Sequence, residues 1–188
     1  MTDNNDLLQS IKKIQEEFYS KSKKNIFIKK EQKIDCANSV NNMLSLEELT
    51  SKTFYLIPNT NRIFIDYNLF KLFAVPSNYQ FIIDKFINLL KYTIKTYGTF
   101  EIHIDLKSFS ASAAERFSKI FKLYYDTTCA VGLYYNIDHI DKICIYNTPQ
   151  IINIISKLLI NYTDNNIKTK ITYFSKENSN QHIQNVFI

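Results

Sequence analysis

Apolar positions along this chain change their period several times, and each change marks an element. Leu7, Leu8, Ile11, Ile14 and Phe18 recur at helical spacing, which predicts an amphipathic helix capped by Asp6. Ser45, with Glu48 three residues on, predicts a short capped helix over LSLEELT. FYLIP and RIFIDY are apolar runs separated by Asn59, Thr60 and Asn61, the composition of a hairpin turn. From Ser77 to Tyr97 the stripe Phe81, Ile82, Phe86, Leu89, Leu90 and Ile94 predicts a helix that stops at Gly98.

The period then shortens to two. FEIHIDL places Phe100, Ile102, Ile104 and Leu106 on one face and Glu101, His103 and Asp105 on the other. Ser110 or Ser112 caps the next helix, which carries Phe117, Ile120, Phe121 and Tyr124. TTCAVGLYYN reads either as a continuation of that helix or as a loop with a short strand. KICIY reads as a strand, and Thr148 and Pro149 open a helix over PQIINIISKLLINY. TDNNIK forms a turn or short helix before the strand KITYF, and Val186, Phe187 and Ile188 dock as a last edge strand. Strands alternating with helices predict an α/β fold: a mixed, mostly parallel sheet of about five strands with crossover helices. Residues 1–50 read as a helical, lysine-rich extension and 51–188 as the α/β domain.

Charge and composition narrow the function. Lys21 to Lys33 holds six lysines against one glutamate, within a formal net charge of +5. Lys21, Lys23, Lys24, Lys29 and Lys30 are the candidates for contact with an anionic membrane surface. Arginine occurs only at Arg62 and Arg116, which argues against a nucleic-acid partner. Two glycines exclude a glycine-loop phosphate cradle. Cys36, Cys129 and Cys144 lack framework spacing and fit a reducing, cytoplasmic setting. The opening MTDNNDLLQS has no signal-peptide pattern, and no run of about 18 apolar residues occurs.

Chemistry is sparse. No serine sits in a glycine-flanked elbow, His139 reads as a surface linker residue, and His182 lies in a polar tail, so no catalytic residues are expected. Asp105, at the end of a strand, reads as a cap for the following loop. Glu101, His103 and Asp105 share a strand face without further ligands nearby in sequence, so neither metal nor cofactor is expected.

The second half resembles the lipid-binding domain of the Sec14-like (CRAL-TRIO) family. The likeness rests on IDLKSFSAS after a strand, on ICIYNTP ending in Asn-x-Pro, on the helix QIINIISKLLINY and on KTKITYF, and it spans roughly Phe54 to Phe174. About 50 residues precede the first strand, fewer than the family's helical domain, and its tyrosine-proline pair is replaced by Tyr125-Asp126 or Asn136-Ile137. The resemblance implies non-enzymatic binding of a lipid or other apolar small molecule, with the isoleucine-dense helix gating a cavity. Ile151, Ile155, Leu158 and Leu159 of that helix, with Phe70, Phe73, Phe81 and Phe86, are the candidate lining, and Tyr92 lies along the same stretch. The alternative is a structural or protein-interaction module that keeps the fold without a pocket, as a homo-oligomer, with a protein partner or in a viral particle. A regulator similar to anti-sigma-factor antagonists is a related case, with Ser108, Ser110 or Ser112 as its modified serine.

Overall fold

The computed structural model describes residues 2–21, 29–130, 136–150, 152 and 165–188. Its elements are α1 (Thr2–Lys21), α2 (Lys29–Met43), α3 (Leu46–Thr53), β1 (Phe54–Leu56), β2 (Arg62–Asp66), α4 (Tyr67–Phe73) and a 3-10 turn (Pro76–Asn78). There follow α5 (Tyr79–Tyr97), β3 (Phe100–Asp105), α6 (Ala111–Ala130), α7 (Asn136–His139) and β4 (Ile140–Tyr146). The chain closes with α8 (Asn165–Lys168), β5 (Ile171–Tyr173) and α9 (Lys176–Val186). One five-stranded sheet runs in the order β1-β2-β3-β4-β5. β1 and β2 are antiparallel across the expected hairpin, where Asn59 takes φ 61, and β2 through β5 are parallel. The fold is α/β, with a mixed, mostly parallel sheet.

The strand order has a geometric consequence. Parallel neighbours joined by right-handed crossovers, always stepping the same way, put every connecting helix on one face. α5 and α6 accordingly cover the isoleucine face, where Ile63, Phe100 and Ile143 are buried with Leu90 of α5 and Tyr124 of α6 packed nearby. A second apolar cluster joins α1 to α6 through Ile11, Val40, Leu49, Phe70, Phe73, Ile82 and Phe117. The leading helices therefore pack into the same interior as α4 to α6. Burying each of these large side chains contributes roughly 1.5–3 kcal/mol. Among the described residues, α9 is the one long helix packed on the opposite face, with Val186 and Ile183 against Phe64, Cys144 and Tyr146.

Local signals explain several boundaries. Ser45 accepts a hydrogen bond from the Glu48 amide at 3.4 Å, Ser110 accepts one from the Ala113 amide at 3.4 Å, and Asp66 caps α4 through the Leu69 amide at 3.0 Å. Gly98 ends α5 at φ 80, a conformation that a side chain disfavours. α6 continues through the ambiguous Thr128–Ala130 stretch as helix, while the rest of that stretch up to residue 135 lies outside the described residues.

Other expectations need correction. The tail is the helix α9 and not an edge strand, because Ser179, His182, Ile183 and Val186 recur at helical spacing with two polar members in the stripe. From Lys29 the lysine-rich stretch is the start of α2, whose buried stripe uses the small residues Cys36, Ala37 and Val40. α1 begins at Thr2, ahead of the cap expected at Asp6, and α4 follows β2 without a sequence signal recognised beforehand. α5 starts at Tyr79 because the 3-10 turn takes up Pro76 to Asn78, with Asn78 Oδ1 accepting from the Val75 amide at 3.0 Å. Among the described residues no helix is long and apolar enough to cross a membrane.

Gly98→Ala is expected to destabilise the protein by roughly 1–3 kcal/mol. Nothing lies within 4 Å of the added Cβ, so the cost is backbone strain alone. Chemical denaturation measures it, and an unchanged midpoint would contradict the assigned backbone geometry.

Candidate functional site

The face opposite the crossover helices gathers most of the polar chemistry. Strand alternation aims Arg62 and Phe64 of β2, Glu101 and His103 of β3, and Lys142, Cys144 and Tyr146 of β4 to that side. The register then sets Arg62 beside Glu101, Glu101 beside Lys142, and His103 beside Cys144. Glu101 Oε2 is the common acceptor, 2.9 Å from His103 Nε2, 3.3 Å from Lys142 Nζ and 3.5 Å from Arg62 Nε.

Hydrogen-bond logic sets the direction of this network. An ionised carboxylate only accepts, so His103 carries its proton on Nε2 and its Nδ1 accepts from the Tyr146 hydroxyl at 2.8 Å. Burial lowers the pKa of His103, against the opposing pull of Glu101. Burial likewise raises both Cys144 and Tyr146. All three are therefore neutral near pH 7, which leaves two cations, Arg62 and Lys142, against one carboxylate. A neutral thiol and a phenol held this way are poor nucleophiles.

A half-open cavity of about 170 Å³ lies over this network. Its lining comprises Arg62, His103, Lys142, Cys144, Tyr146 and Phe174 from the sheet side, with His182, Asn185 and Val186 from α9. The rings form a column: His103 and Tyr146 lie within 10° of parallel, Tyr146 and Phe174 within 17°, and His182 sits 4.3 Å from Phe174. α9 is pinned there by Arg62 Nη1 donating to the Val186 carbonyl at 3.0 Å and by Ser179 Oγ accepting from the Asn147 amide at 2.6 Å.

The carboxyl ends of the strands hold a second polar group. Asp105 Oδ1 accepts from the Lys107 amide at 2.9 Å and from Asn147 Nδ2 at 2.7 Å, the loop-capping role expected of it. Lys71 Nζ donates to Ser108 Oγ at 2.6 Å, and Ser108, Ser110 and Ser112 are all exposed. Among the described residues strand order never reverses in this sheet, so they form no counterpart of the crevice that a switch point opens in other α/β sheets. Among the described residues no group of histidine, cysteine, aspartate and glutamate side chains has metal-binding geometry.

The described members of the expected lining, Phe70, Phe73, Phe81 and Phe86, are not among the residues that line this cavity. Phe70 and Phe73 are buried in the helical interior, with Phe70 4.9 Å from the Phe117 ring and 6.2 Å from that of Phe73. Phe86 packs between Phe54 and Tyr124, while Phe81 is half-buried under Lys85 Nζ at 5.3 Å. Tyr92 is exposed. Ile151, Ile155, Leu158 and Leu159, and the helix expected to carry them, lie outside the described residues, as do Lys23 and Lys24. Lys21 is exposed at the end of α1, Lys29 begins α2, and Lys30 is exposed in its first turn.

His103 is 3% exposed, on a polar strand face that α9 covers. Two other histidines differ from their expected settings. His139 is half-buried and bonds the Gly98 carbonyl at 2.7 Å, and His182 stands on a helix against an aromatic ring. Sequence reasoning did not find Arg62, Lys142 and Tyr146 as partners of Glu101 and His103; the available signal was the matching two-residue alternation of β2, β3 and β4. No protein-family model and no curated protein matches this chain.

The buried imidazole makes stability depend on pH. With its folded-state pKa below 6.5, the unfolded chain binds the proton first, so stability holds above about pH 6.5 and falls as pH drops toward the depressed folded-state value. Urea titrations at stepped pH should show a shallower decline in His103→Gln than in the wild type; equal slopes would place the sensitivity elsewhere.

Proposed function

We propose that the chain is a non-enzymatic binding module for a lipid or other apolar ligand, working in a reducing, cytoplasmic setting. The observation that carries this reading is a patch of half-buried apolar side chains on the helical face of the sheet. Ile102, Ile104, Ile145 and Ile171 come from three adjacent parallel strands, with Leu106 and Ile167 alongside, and all six are partly accessible. Parallel strands are ordinarily buried on both faces. An apolar ligand laid on this patch gains roughly 25 cal/mol for each Å² removed from water. The isoleucine-dense sequence from Ile151 to Ile160 follows β4 directly and matches this surface in character. The exposed Lys21 and Lys30, with the lysines between them in sequence, suit approach to an anionic bilayer, each basic residue near the surface contributing about 1 kcal/mol.

A second reading is supported by the exposed serines at the start of α6. A phosphate on Ser108 would add about −1.5 to −2 charges beside Lys71, enough to change a protein-binding surface. That reading makes the chain a protein-interaction module. Phosphoprotein mapping of the native material, with light scattering for assembly, tests it: unmodified serines and an unchanging monomer would reject it.

Mass spectrometry of organic extracts from natively purified protein is expected to find a retained lipid, and Ile145→Lys is expected to lower its occupancy about tenfold, or 1.4 kcal/mol. Repeated absence of lipid together with no vesicle binding would remove the apolar-ligand reading.

A further inference from the structure

The cavity on the opposite face has its own chemistry, independent of the apolar patch. Both cations of the network, Arg62 and Lys142, line it, whereas the carboxylate that they share does not. With His103 neutral, the cluster is one positive charge in excess, and both of its cations face the cavity. The stacked rings supply an aromatic wall, and Val186 and Asn185 of α9 supply an apolar and an amide contact. The volume sets the ligand's size: about 170 Å³ compares with the roughly 150 Å³ that holds one benzene molecule.

We propose that this cavity is a binding site for a small planar carboxylate, a single aromatic or heteroaromatic ring bearing one acid group. The ring lies along the wall formed by Tyr146, Phe174 and His182, and the acid group points to Lys142 at the open side. Lys142 is the natural anchor, because its side chain is 47% exposed and can turn from Glu101 without leaving an uncompensated buried charge. Arg62 stays in place through its second bond, to the Val186 carbonyl. Completing the charge balance favours an anion over its neutral isostere, and the ring wall favours an aromatic acid over an aliphatic one.

Benzoate titrated into the full chain, followed by amide and side-chain NMR shifts, tests this. Saturable shifts at His103, Tyr146, Phe174 and His182, with a Kd on the order of 1 mM or tighter as suits so small a ligand, are the expected result. Benzamide and acetate, lacking the charge and the ring respectively, should each bind at least about fivefold more weakly, in line with one lost polar or stacking contact. Lys142→Gln, at an exposed position, should keep the spectrum of a folded protein and weaken benzoate about fivefold or more. No saturable shift at these residues, benzamide binding as well as benzoate, or an undiminished affinity in folded Lys142→Gln would each overturn the proposal. None of these results depends on whether lipid is retained on the isoleucine face.

Discussion

Sequential order of parallel strands is the constraint from which the rest of this molecule follows. Once β2, β3, β4 and β5 lie side by side in chain order, handedness sends α5 and α6 to one face. Among the described residues, the opposite face is covered by α9. α9 is fastened by a short set of contacts, chiefly Val186, Ile183, Ser179 and the bond from Arg62. One side of the sheet is thus an apolar layer under long helices, and the other is a polar and aromatic layer under α9.

That asymmetry sorts the chemistry. On the helical side, apolar burial outweighs every other interaction, and Phe54, Phe70, Phe73, Phe86 and Phe117 pack their rings against one another. On the other side, desolvation acts on groups that could ionise and holds His103, Cys144 and Tyr146 neutral. Both ring nitrogens of the imidazole are engaged, so the network is built for holding a geometry.

Much of the fold was legible along the chain. The alternation in FEIHIDL, the serine before LEELT, the hairpin composition at Asn59 to Asn61 and the glycine after Tyr97 each have a local physical cause and appear where expected. α2 and α9 were not legible, because their inner stripes include Cys36, Ala37, Ser179 and His182, small or polar residues that a hydrophobic period does not register. Of the candidate site, Glu101 and His103 stood out as neighbours on a strand. Their partners Arg62, Lys142 and Tyr146 come from other strands, and only register brings them within bonding distance.

The sequence by itself determined the succession of strands and helices, since period and capping are properties of residues close together in the chain. It also determined that one side of β3 would carry a glutamate, a histidine and an aspartate. Tertiary structure alone decided that the histidine would be buried, that two cations would meet the glutamate, and that a ring column would be roofed by α9. The reason is that desolvation and Coulomb interaction depend on distance in space, which strand pairing sets and chain position does not.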